Sequence, residues 1–197
     1  MRRNIVSFFL LFLFCGVLFA GCSSGASGKV KDGVYSSSLF KVTTPSVGSF
    51  RCLTEEQMEK QQNYTVLFLN SHARGAAKTF KCEYAAVNGA TDIFVASEDN
   101  VNGYTLDQFA SAIEKGSDNA VLDNMKVTEN KDITLNGISF RHIVVSLNDI
   151  NDTAEYFIKQ SGKRFVYIFI EYPNDPKEYE SLGGGSREDA VNAISAP

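Results

Sequence analysis

The sequence predicts an α+β domain built on an antiparallel sheet, and three observations predict it. Short alternating or apolar runs bounded by Gly, Asn, Ser and Pro recur from residue 39 to residue 172. Two of these runs are joined by Asn136-Gly137, the strongest short hairpin signal a sequence carries. The order of signals is strands, helix, strands, helix, rather than the strict alternation that parallel βαβ units require.

Leu39-Phe40-Lys41-Val42-Thr43-Thr44 alternates and runs into Pro45, which ends a strand because it brings no N–H to a ladder. Ser49-Phe50-Arg51-Cys52 and Thr79-Phe80-Lys81-Cys82 are strand-like, each with Phe and Cys on one face and the basic residue on the other. Thr54-Glu55-Glu56-Gln57 forms a capping box whose weak apolar follow-on suits a single helical turn. Strands are expected at Tyr64 to Leu69, Thr79 to Val87 and Asp92 to Ala96. Thr105-Leu106-Asp107-Gln108 is a second capping box. It opens a helix over 105–115 whose inner face is Leu106, Phe109, Ala110 and Ile113, with Gly116 as the stop.

Met125 to Thr128 and Asp132 to Leu135 are the next strands, and Asn136-Gly137 turns the chain into Ile138 to Leu147. Ala154 to Lys159 and Arg164 to Tyr172 pair across Ser161-Gly162. Phe165-Val166-Tyr167-Ile168-Phe169-Ile170 is apolar without alternation, the mark of a central strand covered on both faces. Gly183-Gly184-Gly185 lacks the G-x-G-x-x-G spacing of a phosphate loop and is expected to be a flexible hinge. Ser186 caps a closing helix with Val191 and Ile194 turned inward.

The amino-terminal part follows different rules. Arg2 and Arg3 precede a stretch without charge from Ile5 to Ala20, too short for the ~18 to 20 apolar residues of a spanning helix. A basic start, a short apolar run and then small residues is the layout of a secretory signal. Leu18-Phe19-Ala20-Gly21-Cys22 resembles the lipobox of bacterial lipoproteins, with Phe19 where Leu is commonest. That resemblance implies diacylglycerol on the Cys22 sulfur, cleavage before it, and a chain facing the periplasm or the exterior. The alternatives are an uncleaved anchor and a conventional signal with Cys22 incidental. Ser23 to Gly33 is small and polar, so 1–21 is expected as signal, 22–33 as a flexible tether and 34–197 as the folded domain.

Cleavage before Cys22 leaves 176 residues with 17 basic and 23 acidic side chains, a net charge of −6. Such a balance excludes a nucleic-acid partner that would call for a basic face. Of the four cysteines, Cys52 and Cys82 remain for the domain. A disulfide between them is the expectation for an oxidising compartment, and a pair of buried reduced thiols is the alternative. Neither has a second cysteine or a histidine at ligand spacing, so no metal site and no cofactor are expected.

Residues 104 to 195 resemble the PsbP-like superfamily, in particular the DcrB-like envelope lipoproteins. The resemblance lies in a helix (TLDQFASAIEK), the unit MKVTENKDITLNGISFRHIVVSL, a hairpin (AEYFIKQSGKRFVYIFIEYP) and a terminal helix (EDAVNAIS). Residues 46 to 103 match only in layout, and the Pro-Trp element of that family is missing because the chain has no Trp. The resemblance implies an α-β-α sandwich and non-enzymatic work, binding or stabilising partners at a membrane.

No catalytic residue emerges. His142 shares a strand face with Phe140 and Val144, the place of a satisfied core histidine more than of a catalytic base. His72, Arg74 and Lys78 cluster in a loop that is either a partner-binding site or a solvated hairpin tip. The expectation is an envelope lipoprotein acting as a binding or assembly module, its partners the membrane and an envelope protein or small ligand. A hydrolase using His142 or His72 is the alternative.

Overall fold

In a computed structural model of the chain, the described residues are 28–60, 81–100, 102–118, 125–148, 151–175, 177 and 185–197. They form an α+β fold with two antiparallel sheets. The larger has seven strands in the order β4-β5-β6-β10-β9-β8-β7. In chain order these are β4 (Arg51–Cys52), β5 (Lys81–Val87), β6 (Asp92–Asp99), β7 (Met125–Leu135), β8 (Ile138–Leu147), β9 (Asp152–Ser161) and β10 (Arg164–Pro173). The smaller joins both ends of the described chain. Strands β1 (Lys29–Lys31), β2 (Val34–Ser36) and β3 (Lys41–Thr43) are closed by β11 (Ile194–Ser195), which pairs with β3.

Strand β10 is central, as its unbroken apolar run requires, and both of its faces are buried. Phe165, Tyr167 and Phe169 point to one side and join Phe94, Tyr156, Ile143 and Val145 in a core. Helix α1 (Leu106–Asp118) covers this core with Phe109, Ala110 and Ile113. Phe109 stacks on Phe165 with ring centroids 3.9 Å apart. Residues 55–60 are helical and add Met58 to the same side. Val166, Ile168 and Ile170 point the other way, toward Tyr35, Val42 and Ile194 of the small sheet, Phe40 just before β3, and Ala190 of helix α2 (Arg187–Asn192). Helices thus lie on both faces of the main sheet, and the small sheet shares one face with α2.

Local signals are realised at the atomic level. Thr105 and Gln108 exchange both capping hydrogen bonds, as do Thr54 and Gln57. Ser186 and Asp189 make a further capping box at α2. Asn136 (φ 51°) and Gly137 (φ 80°) both take the left-handed conformation that a two-residue hairpin turn demands.

The structure departs from several expectations. The two runs expected on either side of residue 130 form one strand, β7, which absorbs the polar stretch by a bulge between Val127 and Glu129. Helix α1 runs through Gly116 to Asp118, because one glycine in a last turn costs only about 1 kcal/mol. The tether expected over 22–33 ends earlier: residues 29–31 pair with 34–36 across a turn at Asp32 (φ 51°) and Gly33 (φ 75°). Gly185, expected in a flexible hinge, is buried at φ 99°, where a Cβ would lie 2.1 Å from Asn88 Nδ2. It is a packing glycine. Residues 64–69, 79–80 and 183–184 lie outside the described residues.

Candidate functional site

The polar groups that sequence reasoning passed over gather on the face of the main sheet that carries α2 and the small sheet. At one end stands Glu155 on β9, only 2% exposed. Alternation puts it beside Phe157, on the face opposite Tyr156 and Ala154. Its neighbour across the ladder is β8, where His142 presents its ring on the same face and stacks on Phe157, centroids 4.8 Å apart.

Three side chains converge on this carboxylate. His142 Nε2 lies 2.8 Å from Glu155 Oε2. Arg187, the first residue of α2, donates from Nη2 to Oε2 at 2.9 Å and from Nε to Oε1. Tyr172 donates its hydroxyl to Oε1 at 2.6 Å. Burial pulls the Glu155 pKa up, but the hydrogen bonds from His142, Arg187 and Tyr172, with the Arg187 charge, more than offset it and hold the group at about 2. Burial first, and then Glu155 itself, push the Tyr172 phenol upward. An ionised carboxylate only accepts, so the proton between the pair sits on His142 Nε2. His142 Nδ1 faces Glu129 Oε2 at 3.7 Å.

A carboxylate saturated by four such bonds and held at about 2 is a poor proton acceptor near neutral pH. The imidazole nitrogen that faces it is already committed as a donor. The chemistry of this cluster is therefore adhesive: it clamps the start of α2 to strands β8, β9 and β10.

A second buried carboxylate serves the other end of the same face. Strand β5 carries a bulge between Cys82 and Tyr84, so Glu83 is an extra residue and shares a face with Tyr84. Glu83 Oε2 accepts from the Tyr35 hydroxyl (2.8 Å) and the Gly28 N–H (3.0 Å), and Oε1 accepts from Ser97 (2.6 Å). Arg164 in turn donates to Ser97 Oγ at 2.9 Å and pairs with Asp99 at 3.2 Å. Glu83 holds β1 and β2 where Glu155 holds α2.

The candidate disulfide is not formed. Cys52 pairs opposite Ala86, four residues along β5 from Cys82, about 13 Å of strand. Cys52 packs on the small-sheet side and Cys82 on the α1 side of the main sheet. A bridge needs Cα atoms within about 7 Å and converging Cβ vectors, and neither holds. Cys82 instead donates its thiol to the Tyr84 carbonyl at 3.6 Å, and burial pushes it up to about 12. Of the two unbridged thiols only Cys82 is buried, and Cys52 is half-buried.

Cys22, His72, Arg74 and Lys78 lie outside the described residues. Among the described residues no three His, Cys, Asp or Glu side chains are placed to hold a metal ion, and no helix is long and apolar enough to cross a membrane. Sequence reasoning placed His142 correctly but missed Glu155, Tyr172, Arg187 and Glu83. The available signal was a lone acid inside an apolar strand run, Ala154-Glu155-Tyr156-Phe157.

No protein-family model matches this chain, and no curated protein matches it. The matching solved structures include the solution structure of cyanobacterial PsbP (CyanoP) from Synechocystis sp. PCC 6803. The match covers 92% of this chain and 98% of that one, at 8% identity and a TM-score of 0.43. That similarity assigns no ligand, partner or activity to this chain.

Proposed function

We propose that this protein is a lipid-anchored envelope lipoprotein whose PsbP-like domain is a non-enzymatic binding or assembly module. The sequence Leu18-Phe19-Ala20-Gly21-Cys22 supports the anchor, and the element order of residues 104 to 195 supports the PsbP-like reading. The observation that carries the non-enzymatic part is the saturated Glu155 cluster. It takes one of the two histidines that a hydrolase could use and commits its Nε2 to holding two layers together. This geometry also weighs against His142 in the hydrolase alternative.

Two measurements test the reading. Cells fed a labelled fatty acid should label the chain, and Cys22→Ala should abolish the label; an unlabelled chain overturns the anchor. Crosslinking in intact cells and affinity capture should then recover a discrete membrane or envelope partner. Recovery of nothing above a control that carries only the signal and tether would overturn the assembly role.

A further inference from the structure

The small sheet has an inner and an outer face, set by register. The row Val30–Tyr35–Val42–Ile194 runs across all four strands, and its Tyr35, Val42 and Ile194 are fully buried against the main sheet. The adjacent rows, Lys29–Ser36–Lys41–Ser195 and Lys31–Val34–Thr43, therefore face outward. Lys29 and Lys31 are exposed and Lys41 is partly so. The four strands carry these three lysines and no acid, with Asp32 in the β1–β2 turn as the single carboxylate of that hairpin. On a chain with 17 basic and 23 acidic residues after Cys22 is exposed, such a face is the exception.

The chain enters the fold at this sheet. Gly28 is fixed by its N–H to Glu83 and by the Tyr35 ring packed over it. Cys22 is six residues earlier, so the two Cα atoms lie within about 22 Å of each other in any conformation. A lipid on Cys22 would hold the β1 edge within reach of the headgroups.

We infer that the outer face of the four-stranded sheet is the surface this domain lays on an anionic lipid bilayer, with Lys29, Lys31 and Lys41 against the headgroups. The inference rests on the lipid anchor proposed above. Coulomb attraction to anionic headgroups acts within a Debye length of about 8–10 Å, so only groups brought that close by the anchor count. Each lysine near the surface favours that orientation by roughly fivefold, and the three together by on the order of a hundredfold. The rest of the chain after Cys22, with 14 of the 17 basic residues and all 23 acidic ones, gains no net attraction from the same field.

The test uses the lipidated full chain in phosphatidylcholine vesicles with and without phosphatidylglycerol, with a nitroxide quencher on the headgroups. One fluorophore is placed through Thr43→Cys on the outer face, and another through Ser111→Cys on the exposed side of α1, in the opposite layer. The background labelling of the parent chain is subtracted. With phosphatidylglycerol present, the Thr43 probe should be quenched severalfold more than the Ser111 probe. The triple substitution Lys29→Gln, Lys31→Gln and Lys41→Gln should bring the two to parity. Equal quenching in the unsubstituted chain overturns the orientation, and a preference that survives the triple substitution overturns the role of the lysines. Fatty-acid labelling of the same preparations separates the two levels. A labelled chain with equal quenching loses only the orientation, whereas an unlabelled chain loses the anchor and the orientation with it.

Discussion

Glu155 and Glu98 are both buried acids, and their surroundings drive them in opposite directions. Glu155 is held at about 2 by three donors. Its folded pKa lies below the ordinary 4.5, so the stability it contributes is present above about pH 4.5 and is lost as pH falls toward 2. The full effect is on the order of 3 kcal/mol. Glu155→Gln should remove that acid-side loss and cost roughly 2–4 kcal/mol at pH 7, because the Arg187 guanidinium loses its counter-charge. Urea unfolding at pH 7 and pH 3 measures both, and a substitution without effect at pH 7 would refute the clamp. Glu98, on the α1 side beside Phe165, is raised to about 8 by burial and by the neighbouring Asp99. Its folded pKa lies above the ordinary value. Stability linked to it is complete below about pH 4.5 and declines as pH rises through 8. Thermal melts at pH 5 and pH 8.5 should show that decline in the parent chain and a flatter profile in Glu98→Gln.

At the scale of elements, the bulge in β5 and the alternation of β9 place one carboxylate at each end of the layer that covers the main sheet. The β1–β2 hairpin is fastened by Glu83, Tyr35 and Gly28 as a unit. A Cβ on Gly28 would lie 2.2 Å from the Tyr35 ring, whose hydroxyl is held by Glu83. Gly28→Ala should therefore destabilise by about 1–3 kcal/mol, read by chemical denaturation. Cys52 and Cys82 give a second check on this geometry. Under non-reducing conditions both thiols should alkylate once the chain is unfolded, Cys82 only then, and the mass should show no internal bridge. A mass two hydrogens lighter before alkylation would contradict the placement of the two cysteines on opposite faces.

Much of the whole molecule was legible in the sequence because its signals are local. Capping boxes at Thr54 and Thr105, the cap at Ser186, the Asn136-Gly137 turn and the unbroken apolar run of β10 all act within a few residues. The small sheet was only partly read, since just its β3 segment gave a strand signal. Strands β1, β2 and β11 are two or three residues long, and Lys29–Lys31 has the composition of a linker. Their pairing is decided by residues far away in sequence. The Glu155 cluster was hidden for the same reason, because Arg187 and His142 meet Glu155 across 32 and 13 residues. The cysteine pair misled because similar local settings say nothing about face, and a bulge at Glu83 lies between the positions being compared.

The pairing of β11 with β3 has a consequence in time. One layer of the domain draws three of its strands from the first residues of the fold and the fourth from Ile194–Ser195. A growing polypeptide cannot finish that layer until Ile194 and Ser195 have been delivered, and before then Tyr35, Val42 and Ile170 have no complete cover. Removing residues 193–197 should leave the hairpins of the main sheet able to pair. It should also expose the Tyr35 side to a hydrophobic dye and sharply lower the melting temperature, and a truncated chain that melts like the parent would show that the clasp is dispensable. The layer is thus sealed by β11, and a chain that stops short of Ile194 leaves it open.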